Sequence, residues 1–153
     1  MFRIPKQGLS NIQLTAMFSK NKHFLGVISK DEINRINPNK HGFLIINMAD
    51  SHDQGSHWTM VWNGEKECMY FDSFGIFPPS IVERWMRRTR KPCVYSTTKF
   101  QDQDSSTCGG WSALVAQLLS QGKSFREIVN RILPQMIPNA IDWDKEKILV
   151  SNK

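Results

Sequence analysis

Four side chains in this sequence are of the types that acyl transfer requires. Cys108 supplies a thiol, which is a nucleophile in its thiolate form, and His57 supplies an imidazole that can take and return a proton. Asp72 supplies a carboxylate that could hold the His57 ring in one tautomer and stabilise its cation. Gln101 supplies an amide that, together with the backbone N–H of Cys108, could donate hydrogen bonds to a developing oxyanion. These residue types indicate cysteine-based hydrolysis.

Each of these residues also has an ordinary structural explanation. A single cysteine at the start of a helix is usually a buried structural residue. A histidine near the end of a strand is usually solvated or caps the chain, and Asp72 could be a turn residue because Ser73 and Gly75 follow it. The catalytic interpretation therefore depends on the four residues occurring together, in the order His, Asp, Gln and Cys-Gly.

The helix predicted to begin at Cys108 is the most strongly patterned segment of the chain. Apolar residues recur in it at i, i+3, i+4, i+7 and i+8, which predicts one buried stripe. They are Trp111, Leu114, Val115, Leu118 and Leu119. Gly122 is predicted to end the helix. A thiol in the first turn lies at the positive end of the helix dipole, which favours the thiolate. Gly109 and Gly110 are expected to leave room for a substrate backbone beside the sulfur.

A β-hairpin is predicted to carry the histidine and the aspartate. The segments 57–62 and 68–74 are rich in aromatic and β-prone residues, and Asn63-Gly64 lies between them. An Asn-Gly pair between two such segments is the strongest short sequence signal for a hairpin. The apolar run 43–48 is predicted to form a buried strand nearby.

The register of this hairpin decides where His57 and Asp72 lie. If the turn has two residues, His57 faces Tyr70 and Asp72 is its diagonal neighbour. If the loop comprises the four residues 63–66, His57 faces Asp72 directly. Both registers place the imidazole and the carboxylate on one side of the sheet, whereas a three-residue loop would place them on opposite faces.

The remaining elements follow from capping residues and periodicity. Helices are predicted at 10–18, at the capping box Ser29 to Glu32, at 79–89 and from Ser124, and a further strand at 94–100. Pro134 and Pro138 should break the chain after the last of these helices, and a short helix is expected in the tail from Asn139. The helix at 79–89 buries Ile81, Val82 and Trp85, and basic residues lie on its outer face and just beyond it. These are Arg84, Arg87, Arg88, Arg90 and Lys91.

Length and composition exclude several classes of protein. The chain has 153 residues, 40% of them hydrophobic, which fits one globular domain over 1–153 and excludes disordered and collagen-like chains. No apolar run approaches the roughly 20 residues of a membrane span, and no signal-peptide pattern follows the N-terminus. The three cysteines are an odd number, which favours free thiols in an intracellular, reducing compartment, and their spacing does not indicate zinc. The net charge of +6 would suit loose attraction to a polyanion.

Three stretches of the sequence resemble the adenovirus-type cysteine proteases (adenain). Residues 55–63 resemble the family's His-Trp strand, 68–75 resemble its acidic-residue strand, and 101–109 resemble the stretch from its oxyanion Gln to its nucleophile. Together with the similar segment 24–31, the resemblance covers roughly residues 20 to 120. The 45 residues after Cys108 form a shorter C-terminal region than the adenovirus enzymes have.

The resemblance implies a fold and a set of roles. The fold would be the α+β papain-like fold in its permuted form, with His before Cys as in the SUMO proteases, and a central mixed or antiparallel sheet flanked by helices. Cys108 would be the nucleophile, His57 the base, Asp72 the orienting carboxylate and Gln101 the oxyanion donor. Gln103 is a rival for the last role, but Gln101 has the family's spacing to the cysteine. Trp58 would pack near the imidazole.

The resemblance also implies substrates, activators and a location. Such proteases cleave viral precursor proteins at Gly-Gly or Gly-x-Gly sites during virion maturation, which would place this chain in the host nucleus and the virion. A short viral peptide and DNA activate them. Cys93 lies near the position of the cysteine that bonds the peptide, and the alternative is that it is an ordinary half-buried strand cysteine. No other cofactor and no metal is implied. The basic residues after position 83 could contact DNA phosphates, or could simply be the solvated face of a helix.

Two other functions remain open from the sequence. A permuted Cys-His-Asp arrangement also fits an isopeptidase that removes ubiquitin-like modifiers, which end in Gly-Gly as well. The basic cluster would also fit a non-catalytic module that binds nucleic acid on the same fold. Three measurements distinguish the endopeptidase, the isopeptidase and the non-catalytic module: activity toward peptides, activity toward folded modifiers, and reactivity of the Cys108 thiol.

Overall fold

The computed structural model describes residues 8–51, 57–101 and 107–136. The elements, in chain order, are α1 (Asn11–Phe18), β1 (Phe24–Ser29), a 3₁₀ helix (Lys30–Arg35), β2 (Gly42–Asn47), β3 (Trp58–Asn63), β4 (Cys68–Phe71), α2 (Ser80–Arg88), β5 (Cys93–Tyr95), α3 (Cys108–Ser120) and α4 (Phe125–Glu127). A π-helical turn (Ile128–Ile132) and a 3₁₀ turn (Leu133–Met136) continue α4 directly. Gln103, Pro138 and the tail from Asn139, where a last helix was expected, lie outside the described residues.

The five strands form one mixed sheet in the order β1-β2-β3-β4-β5. The two outer pairs, β1 with β2 and β4 with β5, are parallel, whereas β3 runs antiparallel to both of its neighbours. Helices cover both faces, because each face of the sheet carries apolar side chains that must be buried. The architecture is the α+β fold with a central mixed sheet flanked by helices that the sequence predicts.

Two hydrophobic cores lie on the two faces of the sheet. On one face α1, α3 and α4 pack against aromatic strand residues such as Phe43 and Trp62, whose rings stack 5.2 Å apart. On the other face Trp85 of α2 and Ile33 of the 3₁₀ helix pack against the alternate residues of the strands. The predicted stripe of α3 is confirmed: Trp111, Leu114 and Val115 are buried, and Leu118 and Leu119 are partly buried against the same core.

Helix starts follow the predicted capping residues. The Ser10 hydroxyl accepts from the Gln13 N–H, and the Gln13 side chain accepts from the Ser10 N–H, which is a complete capping box. Ser29 and Glu32 form the same box, although the helix that follows is 3₁₀ rather than α. Ser124 caps α4. Among the described residues, no helix combines the length and the apolar character that crossing a membrane would need.

The hairpin between β3 and β4 has neither of the predicted registers. Asn63 pairs with Cys68, so the loop is the four residues 64–67, closed by a 2.9 Å bond from the Gly64 N–H to the Glu67 carbonyl. Asn63 stays in the strand because its buried side-chain NH₂ donates to the carbonyls of Pro38 and Lys40, at 2.9 Å each. These tertiary hydrogen bonds override the preference of Asn-Gly for a two-residue turn. The observed pairing is shifted from both predicted pairings by an even number of residues. His57 and Asp72 therefore still lie on the same face of the sheet.

The predicted strand 94–100 is much shorter in the structure. β5 ends at Tyr95 because its partner β4 ends at Phe71, where the Asp72 carboxylate accepts from the Phe74 N–H at 2.8 Å and turns the chain. After β5, separate backbone bonds rather than a continuous ladder connect the chain to this turn, such as the 2.7 Å bond from the Phe100 N–H to the Ser73 carbonyl. Gln101 therefore lies at the end of an irregular segment, not at the end of a strand.

Two further elements differ from the sequence prediction. β1 carries no clear sequence signal, because its six residues are all half-buried rather than alternating and a register shift interrupts its pairing between Phe24 and Gly26. The helix from Ser124 was expected to end before Pro134, but that proline lies within the 3₁₀ turn that follows the π-helical turn. Phe125, Ile128 and Val129 are buried as predicted, and Ile132 is partly buried.

Candidate active site

One edge of the sheet brings the candidate base and carboxylate together. His57 immediately precedes β3 and Asp72 immediately follows β4, and since these strands are antiparallel, the start of one lies beside the end of the other. The His57 Nε2 atom is 2.9 Å from the Asp72 Oδ1 atom. The Asp72 side chain is only 4% exposed and also accepts the Phe74 N–H, so its carboxylate has a fixed orientation. The pair has the geometry of a base and its orienting acid.

The ring of Phe74 fixes the other side of the imidazole. Continuing the β3–β4 register past the last paired residues places Phe74 opposite His57, and the two rings stack with centroids 4.6 Å apart. Because Nε2 of His57 bonds to Asp72, Nδ1 is the ring nitrogen that remains for the thiol. The imidazole is 16% exposed, so a substrate can reach it.

The sulfur of Cys108 meets the start of β3. Cys108 is the first residue of α3, and its sulfur accepts the backbone N–H of Trp58 at 3.3 Å. One turn further along the helix, the Ser112 hydroxyl donates to the carbonyl of Trp58 at 3.2 Å. The peptide groups on both sides of Trp58 are thus bonded to α3. These bonds place the first turn of the helix beside the residue that follows His57.

The site shifts the pKa values of the thiol and the imidazole in opposite directions. Burial lowers the pKa of His57, but its hydrogen bonds with Asp72 and Cys108 outweigh burial and raise that pKa from 6.5 to about 9. Burial raises the pKa of the Cys108 thiol, yet hydrogen bonds from His57 and from the Trp58 N–H outweigh it and lower the pKa below its usual 9.0. These shifts favour a thiolate–imidazolium pair, which is the reactive form of a cysteine nucleophile.

The candidate oxyanion donor, Gln101, is buried and held by a neighbour of the carboxylate. Its side-chain oxygen accepts a hydrogen bond from the hydroxyl of Ser73, the residue after Asp72. The amide NH₂ of Gln101 therefore points away from Ser73. A charged oxygen needs such a donor group, and a carbonyl oxygen in its place would repel it.

Gly109 does not provide the space that the sequence suggested. A Cβ atom on Gly109 would lie 3.2 Å from the Trp58 indole and 3.3 Å from the Leu9 Cβ, so the absent side chain allows Trp58 to pack against the helix. The indole N–H of Trp58 donates to the Leu9 carbonyl at 2.9 Å, and Gly110 is buried. The ring that stacks on the imidazole belongs to Phe74, whereas Trp58 joins the helix start to the segment before α1.

A cavity of about 410 Å³ opens beside Trp58. It lies between the start of α1, the end of β1 and the end of β2, and polar groups of Ser29, Glu32 and Asn47 contribute to its lining. Trp58, whose backbone N–H contacts the Cys108 sulfur, forms part of its lining, so the cavity adjoins the candidate site.

Cys93 and Cys68 form a second pair of thiols away from this site. They are register partners on β5 and β4, and both are free cysteines. Burial raises the pKa of Cys68 to about 12 and also raises that of Cys93. Cys93 lies on the outermost strand and is half-buried. In the described part of the chain, no group of three His, Cys, Asp or Glu residues is placed to bind a metal ion.

The basic residues from Arg84 to Lys91 differ in their surroundings in the structure. Arg87 pairs with Glu83 at 2.6 Å, and the Lys91 ammonium donates to the Asn63 side chain at 2.8 Å and to the Gly64 carbonyl. Lys91 therefore has a structural role in holding the hairpin loop. Arg84, Arg88 and Arg90 are exposed.

Three residues of this site were not singled out from the sequence. Ser73 and Phe74 follow Asp72 directly, so their proximity to it was visible, but nothing indicated that one would contact Gln101 and the other His57. Ser112 lies one turn after Cys108 and points at the strand, a position that any small polar residue in a buried helix could occupy. Each depends on a contact between segments distant in the sequence.

Comparison with known proteins supports this architecture. No model of a protein family matches the chain, and no curated protein matches it. Two crystal structures of the ASFV pS273R protease match: the selenomethionine form with a TM-score of 0.59 over 97% of this chain and 68% of that one, and the other with 0.58 over 97% and 67%, both at 18% sequence identity. A structure of AvrA delL154 with IP6 and CoA reaches only 0.45, at 19% identity over 92% of this chain and 53% of that one.

The matches to the ASFV enzyme show the fold. The chain has the α+β papain-like fold of the SUMO-protease type, which is a cysteine protease fold. A structural similarity at 18% sequence identity shows the fold alone. It does not assign the chain to the adenovirus enzymes. The adenovirus-type assignment and the roles of the site residues therefore belong to the proposal that follows.

Proposed function

We propose that this chain is a single-domain viral cysteine endopeptidase of the adenovirus type. Its substrates would be precursor proteins cleaved at Gly-Gly or Gly-x-Gly sites during virion maturation, in the host nucleus and the virion. The observation that carries the proposal is the 2.9 Å bond between His57 and Asp72, beside a helix whose first residue, Cys108, has a lowered thiol pKa. The shared fold of the ASFV pS273R protease supports the protease class.

The proposed reaction has two halves. The Cys108 thiolate attacks the carbonyl carbon of the scissile peptide bond, and the C=O π electrons move to the oxygen to give an oxyanion. The N–H of Cys108 and the amide of Gln101 stabilise that oxyanion. His57, as the imidazolium, protonates the leaving amine, and a thioester forms. His57 then takes a proton from water, which attacks the thioester, and the carboxylic acid product and the thiol are released. Asp72 stabilises the imidazolium whenever His57 is charged.

The first experiment tests the nucleophile. Wild-type chain and a Cys108→Ala variant are incubated with a peptide that contains a Gly-Gly site, and the products are identified by mass spectrometry. The variant should lose cleavage completely while its circular dichroism spectrum stays the same. Cys68→Ala is the matched control, since it makes the same chemical change at a thiol outside the site. Cleavage by Cys108→Ala would refute the proposal.

A modifier isopeptidase is the second candidate, because the chain has the fold of SUMO-type proteases. Such an enzyme must hold a folded modifier as well as its Gly-Gly tail. Parallel assays with a modifier-conjugated protein and with a short Gly-Gly peptide separate the two proposals. A kcat/KM at least tenfold higher for the conjugate would favour the isopeptidase.

Activation by a peptide and by DNA is part of the proposal that rests on the adenovirus resemblance alone. Cys93 is the residue that would bond an activating peptide, and it is half-buried on β5, the last strand of the described sheet. DNA would bind through the exposed arginines among Arg84, Arg87, Arg88, Arg90 and Lys91. If so, DNA should raise activity at low salt, and reversing the charge of Arg84, Arg88 and Arg90 should abolish that effect, whereas Arg131→Glu should not.

The third candidate is a non-catalytic module that binds nucleic acid. Comparing DNA binding with the reactivity of Cys108 distinguishes it from the two proteases. If the chain binds DNA while Cys108 is inert toward a thiol-reactive peptide probe at neutral pH, that module is the better description. A labelled Cys108 and measurable peptide cleavage would exclude it.

A further inference from the structure

The thiols of Cys68 and Cys93 lie on neighbouring strands and on the same face of the sheet. Cys68 begins β4, Cys93 begins β5, and the two are register partners. Both pack against the core on the face that α2 covers, and both are free cysteines. Neighbouring strands are about 4.7–4.9 Å apart, which lies within the range of about 4.4–6.8 Å between the Cα atoms of a disulfide. A bond between these two sulfurs therefore needs no change in strand pairing.

The two thiols differ in their access to solvent. Cys68 has no exposed surface, whereas Cys93 is half-buried. A reagent that arrives from solvent therefore meets Cys93 before Cys68. Any group that becomes attached to Cys93 is then next to a second thiol that solvent does not reach.

From this arrangement we propose that Cys93 and Cys68 form a thiol–disulfide exchange site. Cys93 reacts with a small disulfide from solvent, such as oxidised glutathione, and Cys68 then displaces the group that Cys93 has acquired. The product is a disulfide between β4 and β5. This site is separate from the Cys108 nucleophile and does not depend on peptide cleavage.

The exchange has two balanced steps. Cys93 gives its proton to solvent, and its thiolate attacks one sulfur of R–S–S–R, which forms Cys93–S–S–R and releases R–S⁻. Cys68 then gives up its proton, and its thiolate attacks the Cys93 sulfur, which forms the bond between Cys68 and Cys93 and releases a second R–S⁻. The two released thiolates take up the two protons. One R–S–S–R is thus reduced to two R–SH while two protein thiols are oxidised to one disulfide.

Neighbouring groups partly offset the effect of burial on Cys68. Burial raises the pKa of Cys68 to about 12 and the charge of an ionised Cys93 adds to this rise, whereas a hydrogen bond with Thr89 and the charge of Lys91 lower the pKa. Once Cys93 has entered a disulfide, its charge no longer opposes ionisation of Cys68. At pH 8 a thiol with a pKa of about 12 is ionised to about one part in 10,000, but well-oriented neighbouring groups reach effective molarities of about 10⁵ M or more. Proximity therefore compensates for the small thiolate fraction.

The disulfide formed in this way should be easy to reduce again. The Cβ atoms of a disulfide are about 3.5–4.5 Å apart, which is less than the spacing of about 4.7–4.9 Å between strands, so the bond must draw β5 toward β4. β5 has three residues, and each of them pairs with β4. A strained disulfide is more readily reduced than a relaxed one. The pair is therefore suited to reversible exchange rather than to a permanent link.

One consequence concerns the activating peptide, and it alone rests on the proposed function. If a peptide cysteine formed a disulfide with Cys93, Cys68 would displace the peptide and leave the internal disulfide. Attachment through Cys93 would then be temporary. Its duration would depend on how fast Cys68 reacts.

The test follows the groups that a disulfide probe transfers and releases. The full chain with Cys108→Ala, in which Cys68 and Cys93 are the remaining cysteines, is treated with dipyridyl disulfide at pH 8. The absorbance of the released pyridinethione should correspond to two equivalents per chain. Mass spectrometry should find a chain that has lost two hydrogen atoms and carries no pyridyl group, and peptide mapping should find Cys68 linked to Cys93.

Two variants of this parent chain separate the steps. With Cys68→Ala, one equivalent should be released, and the pyridyl group should stay on Cys93 at least about ten times longer than in the parent. With Cys93→Ala, pyridinethione should be released at least about tenfold more slowly than from the parent, because Cys68 is not exposed. Oxidised glutathione is the second probe, and it should leave one glutathione on the Cys68→Ala chain and none on the parent. Dithiothreitol should restore both thiols of the oxidised parent.

The outcomes are independent of the protease proposal. A parent chain that keeps a pyridyl group on Cys93, or that gains one on each thiol, would overturn the exchange site. Release from the Cys93→Ala chain as fast as from the parent would also overturn it, because Cys68 would then be reached directly. The parent has no substitution in β4 or β5, so its result does not depend on whether the two variants fold. Cys108 is absent throughout, so failure of the exchange leaves the protease proposal standing, and failure of the protease proposal leaves the exchange standing.

Discussion

The backbone N–H of Trp58 lies 3.3 Å from the sulfur of Cys108, so the residue that follows His57 is bonded to the candidate nucleophile. The sheet and the helix are therefore joined at the point where the base and the thiol must meet. Ser112 bonds to the carbonyl of the same tryptophan, and the indole bonds to Leu9. This one residue fixes the separation of the two halves of the site, although it has no direct part in the proposed chemistry.

The opposite pKa shifts of Cys108 and His57 predict the pH dependence of cleavage. Activity requires the thiolate and the imidazolium together, so kcat/KM should rise as pH passes the lowered pKa of Cys108 and fall as pH passes about 9, where His57 loses its proton. A pH profile from 4 to 11 measures both limbs. An alkaline limb near 6.5, the ordinary value for histidine, would contradict the hydrogen-bonded site.

The same shifts act on stability with opposite signs. The raised His57 pKa stabilises the fold below pH 6.5, and this contribution is lost as pH rises through about 9. The lowered Cys108 pKa stabilises the fold above pH 9.0, and that contribution is lost as pH falls through the lowered value. Where the two pH ranges overlap, the His57 contribution to the free energy of unfolding falls with rising pH while the Cys108 contribution rises. The free energy of unfolding measured in urea should therefore change less with pH in that range than either group alone would cause.

Replacing Asp72 by Asn should move the alkaline limb to lower pH. The amide oxygen can still accept from Phe74 and His57, but the negative charge that raises the His57 pKa is gone. We expect the limb to shift by at least about one pH unit and kcat to fall at least about tenfold. The measurement is the pH profile of the variant. Asp50→Asn, at an exposed ion pair with Lys30, is the matched control and should leave the limb in place.

The three cysteines should differ in reactivity. Cys108 has a lowered pKa, whereas the Cys68 pKa is about 12 and that of Cys93 is also raised, so only Cys108 should carry appreciable thiolate at pH 7. Brief treatment with iodoacetamide followed by peptide mapping should show Cys108 modified at least about tenfold faster than the other two. His57→Ala should remove most of that advantage. Faster labelling of Cys93 in the wild type would count against the assigned nucleophile.

How far the sequence predicts this protein depends on which interactions are local. Local sequence patterns predict the helix that begins at Cys108 and the capping boxes. The alternation of side chains along a strand also predicts that His57 and Asp72 lie on the same face of the sheet. The register of the hairpin was wrong because Asn63 bonds to the distant carbonyls of Pro38 and Lys40. Interactions between remote segments decide such details.

The candidate site shows the same division. The residue types at positions 57, 72, 101 and 108 could be read directly, because each carries chemistry of its own. Gly109 was read as space for substrate, but its neighbours are Trp58 and Leu9, which no local pattern reveals. The contact of Ser73 with Gln101 spans 28 residues and depends on how β4 ends. The candidate nucleophile and base could thus be proposed from the sequence, whereas the residues that contact them could not.

Replacing Gly75 by Ala should test how strictly the turn after β4 holds the segment 96–101. Gly75 has a φ of +72°, and a Cβ atom there would lie 2.6 Å from the Thr97 carbonyl oxygen, so the variant meets both backbone strain and a clash with backbone. We expect the free energy of unfolding in urea to fall by about 2 to 4 kcal/mol. Activity at temperatures where the variant is folded should also fall, because Gln101 ends the displaced segment.

Gly122→Ala is the matched control for this prediction. Its φ is +90°, but nothing lies within 4 Å of the added Cβ atom, so it carries the strain without the clash. It should lose about 1 kcal/mol or a little more and keep full activity, since Gly122 lies after the far end of α3. The difference between the two variants isolates the contact of Gly75 with Thr97. Equal losses of stability with wild-type activity in both would mean that this contact does not position Gln101.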